Sequence, residues 1–168
     1  MLSLTPVAIL TNTRENMTAT GHALVGAAIG SQIGSPLIAI PIAFLSHFAC
    51  DKVPHWDVMT DKNKSQNLII FESIIDVFVS IGLVWLIFLY FLHADSPVNI
   101  FLCAFSAQLP DWMEVPYSIF KIKIPLVYDN YQIQSKIHDI WFDSRLKAPW
   151  GIVTQFVVVS AFVLWAIT

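Results

Sequence analysis

Apolar residues gather into four runs, Ala23 to Phe48, Leu68 to Leu92, Val98 to Leu109 and Trp150 to Ile167, set apart by shorter polar stretches. A helix needs about 20 such residues, at roughly 1.5 Å each, to cross a bilayer. The second and fourth runs therefore predict spanning helices outright. The first run is broken at its centre by Gly34-Ser35-Pro36. Pro36 has no backbone donor and turns the preceding residue away from helix. The pattern predicts two half-length helices, about Thr18 to Ile33 and Pro36 to Asp51, folded as a hairpin that other helices must cover in lipid. The alternative is one kinked span over the same residues, which would hold His22 and His47 about 37 Å apart.

Composition strengthens the membrane reading. The 168 residues are 56% hydrophobic and 12% charged, with a mean hydropathy of +0.65, more apolar than a soluble domain of this length requires. The fold class expected is an all-α polytopic membrane bundle in one domain, residues 17–168. Residues 1–16 read as a dispensable extension, since "MLSLTPVAIL" has no basic start of a signal peptide and "MTATGH" at Met17 resembles a natural beginning. Cys50 and Cys103 lack metal-pair spacing and read as reduced core thiols.

Charge then orients the bundle. With the hairpin, Arg14, Lys52, Lys62, Lys64, Lys121, Lys123, Lys136, Arg145 and Lys147 all fall on one side. The other side keeps the Gly-Ser-Pro turn, the turn at His93 to Pro97 and the C-terminus. By the positive-inside rule the charged side is cytoplasmic. The basic residues are too sparse for nucleic-acid binding.

The candidate chemistry lies on that same side. "SHFACDKVPHWD" places His47 and Asp51 four apart, on one helical face, with His55 and Asp57 just beyond Pro54. His22 opens the first half-helix. Glu72 and Asp76 sit four apart in the next helix, where two carboxylates are costly unless something positive neutralises them. Asp111 and Glu114 close the following helix, and His138 belongs to the segment leading into the last span. Each has an ordinary reading as well: a local His–Asp ion pair, a turn start at Asp111 after Pro110, an interfacial His138, a solvated His93. Together, His22, His47, Asp51, Glu72, Asp76, Asp111 and His138 offer three imidazoles and four carboxylates. That donor set suits zinc first, with manganese or iron(II) as alternatives, in number sufficient for two ions. Two ions sharing a bridging hydroxide are suited to phosphoryl or acyl hydrolysis. His55, Asp57 and Glu114 are the expected proton-transfer groups, and Lys52 or Arg145 the phosphate holders.

The runs "MTATGHALVGAAIG", "SHFACDKVPHWD" and "LPDWME" resemble motifs of the bacterial and archaeal membrane-bound metal-dependent hydrolases, one branch of which is the LexA-binding inner-membrane-associated hydrolases. The match falls on His22, on Ser46 with His47 and Asp51, and on Leu109 with Pro110 and Asp111. Departures are present: Trp112, Met113 and Glu114 stand where members carry x-D-H after L-P-D, and the H-R-G-x-T-H-S motif is absent, with only His138 and Arg145 to stand in. The block order also differs. His22, His47 with Asp51, and His55 are more loosely similar to the ligand order of the zinc-dependent phospholipases C. These resemblances imply a hydrolase at the cytoplasmic face of a prokaryotic inner membrane, acting on a phosphoester of a lipid or amphiphile. A metal or proton transporter, and a non-enzymatic adaptor binding a partner through Lys121 to Lys147, are the competing classes.

Overall fold

The computed structural model describes residues 17–56, 65–118, 120–139 and 149–168. Among these there is no strand; the chain forms six helices: α1 (Ala19–Gln32), α2 (Pro36–Cys50), α3 (Gln66–Val84, continued without a break as a π-helical stretch Trp85–Phe91), α4 (Pro97–Ser118), α5 (Pro125–Asp139) and α6 (Trp150–Trp165).

α1 is the central strut. It is apolar around its whole circumference, as befits a buried helix, and residues 21–30 are all buried. Gly26 and Gly30 let α4 lie directly against it. A Cβ at Gly26 would stand 2.5 Å from the Cys103 carbonyl oxygen, and one at Gly30 would stand 2.9 Å from Asn99 O. Small residues four apart permit this kind of backbone approach.

Both ends of α1 are held by side chains from other helices. At the N-terminus Asp76 of α3 accepts from Ala19 N (2.6 Å), from Thr20 N (3.3 Å) and from the Thr20 hydroxyl. At the C-terminus the Asn99 amide of α4 donates to Gly30 O and Ile33 O, each at 2.8 Å. A carboxylate therefore meets the unpaired N–H groups and an amide donor meets the unpaired carbonyls, which also matches the helix dipole.

Pro36 starts α2 at its first turn, where a missing N–H costs nothing, and the chain reverses at 33–35. α1 and α2 form the hairpin, with the Met17 N–H donating to the Asp51 carboxylate across it (3.1 Å). The straight-span alternative is excluded. At the opposite end, Gln32 donates to Ala166 O (2.9 Å) and ties the hairpin turn to the C-terminus.

The helix over Gln66–Phe91 has 26 residues, roughly 39 Å by helical rise, and is the one helix among the described residues both long and apolar enough to cross a membrane. Only 17% of its most apolar window is buried, so it is not the core helix of a soluble domain. The last run forms α6, which is apolar and has 16 residues, from Trp150 after Pro149 to Trp165, shorter than the span expected of it. α2, with 15 residues, is likewise apolar and short. Leu37, Phe78 and Phe156 on α2, α3 and α6 are 89%, 70% and 72% exposed, so the outer faces of all three are apolar. Residues 1–16 lie outside the described residues.

Candidate metal centre

Three helices deliver polar side chains to one end of the bundle. His22 comes from the first turn of α1, His47 from the last turn of α2, Asp51 from the position capping α2, and Asp111 from α4 just after Pro110. His22 and His47 are stacked with ring centroids 4.1 Å apart. The i, i+4 spacing brings His47 Nε2 to 3.1 Å from Asp51 Oδ2, and the hairpin brings His22 Nε2 to 3.1 Å from Asp51 Oδ1. Asp111 Oδ1 approaches His47 Nε2 from the other side at 3.4 Å. Both imidazoles and Asp51 are at most 1% exposed, and Asp111 is 21% exposed.

His22, His47 and Asp111 can hold a metal ion: one donor atom from each lies within 4.8 Å of the others. Four donors about 2.0 to 2.1 Å from a tetrahedral zinc ion lie roughly 3.3 to 3.4 Å from one another. The separations of 3.1, 3.1 and 3.4 Å, in which Asp51 meets His22 through Oδ1 and His47 through Oδ2, are hydrogen-bond distances that lie close to that spacing.

Hydrogen bonding fixes which nitrogen of His47 faces the carboxylates. His47 Nδ1 is 2.9 Å from Ala107 O. A carbonyl only accepts, so Nδ1 carries a proton and Nε2 is the nitrogen aimed at the carboxylates. Burial would push the His47 pKa down, but Asp111 and Asp51 outweigh it and hold it well above the usual imidazole value, so without a cation Nε2 is protonated as well, and a metal ion would take the place of that proton. An imidazole anchored in this way through its other nitrogen is the usual arrangement of a metal ligand. The two nitrogens of His22 are buried and neither makes a hydrogen bond among the described residues, although Nε2 is close to Asp51 Oδ1. Burial would push the Asp51 carboxyl up, but the adjacent His47 and His22 outweigh it and hold the group well below the usual carboxylate range. Asp51 is ionised. A divalent cation held by two carboxylates and two neutral imidazoles would be charge-balanced once it had displaced the His47 proton.

α5 closes the site. The α4 helix continues through Pro110 to Ser118, and the Pro110 carbonyl accepts from Asn130 and from Gln134 of α5, each at 2.9 Å. Because the Gln134 nitrogen is committed to that carbonyl, its Oε1 is turned toward the site and lies 3.5 Å from His47 Nε2. Gln134 is 1% exposed. Neither amide stands out in the sequence, since neutral side chains lack a ligand signature. Asn130 and Gln134 do share one face of a helix at i, i+4, and that spacing was the available signal.

The remaining expected site residues are placed as follows. Asp76 is bound to the N-terminus of α1, which supplies the positive partner its depth requires. Glu72 lies one turn before it on α3, partly buried. Glu114 is buried, three residues beyond Asp111 on α4. His55 is buried, and its Nδ1 lies 2.6 Å from Val53 O, so Nε2 is its basic nitrogen. The turn that carries it is fastened to α6, where the Thr154 hydroxyl donates to Pro54 O and the Gln155 amide to Trp56 O. Asp57, Arg145 and the side chain of His138 lie outside the described residues, and Lys52 is exposed beside Asp51. Cys50 and Cys103 are free and buried. Comparison with protein-family models, with curated proteins and with solved structures finds no match to this chain.

Proposed function

We propose that this protein is a membrane-embedded, metal-dependent hydrolase that cleaves a phosphoester of a lipid or amphiphile at the cytoplasmic face of a prokaryotic inner membrane. The observation that carries the reading is the buried convergence of His22, His47 and Asp111 around Asp51, with the His47 tautomer fixed by Ala107. Nitrogen and oxygen donors of this kind suit zinc, with manganese or iron(II) as weaker fits. The described residues provide one such cluster.

A bound divalent ion would supply Lewis acidity and an activated water at neutral pH. The protein's own groups do the rest. His22, His47, Asp51 and Asp111 hold the charge in place, and Gln134 presents an amide oxygen that orients water or a leaving hydroxyl. Glu114 and His55, both buried near the same end, are the proton-transfer candidates. The placement in a bilayer is supported by the exposed apolar faces of α2, α3 and α6 and by the side on which the lysines fall. Lys52, Lys121, Lys123 and Lys136 belong to segments at the metal-site end, while the 33–35 turn, the 92–96 turn and the C-terminus form the opposite end.

Metal analysis of the detergent-purified protein, followed by assay on a phospholipid and on a soluble phosphoester with zinc and manganese added in turn, tests the reading. About one equivalent of a transition metal and metal-restored hydrolysis are expected. A protein that binds neither metal and hydrolyses neither ester overturns it.

A further inference from the structure

A second feature lies on the other side of α1 from the metal cluster. Between α3 and α6, with α1 as its floor, runs an open crevice of about 710 Å³, within the range of small-molecule sites, about 300 to 1,000 Å³. We propose that this crevice binds one acyl chain of a bilayer phospholipid, with the head group at the end formed by Thr18, Trp56 and Gln155. This rests on the bilayer placement proposed above and is independent of the hydrolytic chemistry.

The polarity of the crevice is graded along its length. Thr18, Thr20, Trp56 and Gln155 line one end, whereas Ile87, Val163 and Leu164 line the other. The polar end is built and fixed: the Thr18 hydroxyl donates to Gln155 Oε1 at 2.9 Å, and Gln155 in turn donates to Trp56 O. Gln155 is 8% exposed. An indole at such a boundary suits the headgroup level of a membrane.

Length supports the same occupant. The α6 wall extends from Ile152 to Leu164, twelve residues or roughly 18 Å of helix. One leaflet contributes about half of a hydrocarbon core of roughly 30 Å, so the crevice is as deep as a single chain is long. Water does not fill a trough with walls this apolar. Its mouth opens onto the outer faces of α3 and α6, where Phe156 and Leu164 are exposed, so a lipid chain would enter from the bilayer without passing through water.

The test uses the full chain reconstituted in phosphatidylglycerol and phosphatidylcholine vesicles containing a phospholipid with a diazirine in mid-chain. After irradiation, crosslinks should concentrate on Leu83, Ile87, Val159 and Val163 rather than on the outward Phe78 and Val157. Ser160→Trp, which fills the trough, should abolish the crevice crosslinks while outer-face crosslinks and bound metal stay unchanged. If that variant does not fold, Leu164→Trp blocks the far end and is expected to shift crosslinks toward Thr18. Equal labelling of crevice and outer face that neither variant alters would overturn the proposal, leaving only annular lipid. Crosslinks from crevice residues to a second copy of the chain would also overturn it. A metal-free protein that still shows the crevice pattern would support it while removing the hydrolase reading.

Discussion

His47 directs its Nδ1–H at the carbonyl oxygen of Ala107, 2.9 Å away on α4, and this contact decides which nitrogen can serve a metal. The bond exists because α4 approaches the hairpin closely enough for its backbone, not only its side chains, to reach the site. Any change that moves α4 outward should therefore act on His47 as well as on Asp111.

Gly26→Leu would drive a side chain into the Cys103 backbone and the Ala107 side chain. Bound metal should be lost, and thermal stability should fall by several kcal/mol, as overpacking against backbone leaves little room to relax. Gly82→Ala is the control. No atom lies within 4 Å of its added methyl, so stability should rise by up to about 1 kcal/mol with metal content intact. Melting curves with parallel metal analysis check both.

Asp111→Asn and Asp76→Asn should separate ligand from clamp. Asp111→Asn should lower metal affinity by a factor of ten or more and barely change the stability of the metal-free protein. Asp76→Asn should destabilise the metal-free protein by roughly 1 to 3 kcal/mol, because the charged acceptor at the α1 N-terminus is gone. Equal effects of the two on metal-free stability would contradict this division.

Gln134→Leu keeps the bulk of the side chain and removes both the bond to Pro110 and the oxygen facing His47. Metal affinity or turnover should drop about 10- to 100-fold, the usual cost of losing an outer partner at a metal site. Gln134→Glu, which restores an oxygen facing the site, should recover part of the affinity. Titration with a competing chelator reads both variants.

Acid should release the metal before it unfolds the protein. The ligand form of His47 is the neutral ring; burial pushes its pKa down, but Asp111 and Asp51 outweigh burial and raise it well above the ordinary imidazole value, so protons already compete for Nε2 at neutral pH. Asp51 is held ionised to lower pH. Affinity falls with falling pH as His47 gains its proton, while Asp51 still carries its charge. Chelator competition between pH 8 and pH 5 would show the loss, and a flat profile would exclude histidine ligation.

Much of the site was legible because its signals are local or hang on a single break. Gly34-Ser35-Pro36 determines that His22 and His47 meet, and the i, i+4 rule pairs His47 with Asp51. Asp76 was legible as a buried carboxylate needing a positive partner, but not as the cap of α1. The positive partner is a helix end, which no residue letter records, and it lies 57 residues away. Asn99, Asn130 and Gln134 went unread for a related reason. Each donates to a backbone carbonyl of another helix, a partner that no residue letter records. The apolar run Trp150 to Ile167 is helical as far as Trp165, because its pattern is local.

The two grips on α1 also constrain how the protein is made. Asp76 and Asn99 lie 57 and 69 residues downstream of the backbone groups they satisfy, so the hairpin leaves the ribosome well before either exists. Until α3 and α4 arrive, a helix that is apolar on every side has bare polar termini and half a metal site. During biogenesis α1 is thus a guest awaiting its host. A metal ion held by His22 and Asp111 together could bind only after α4 has packed against the hairpin, so a bound ion would report that these three helices have come together.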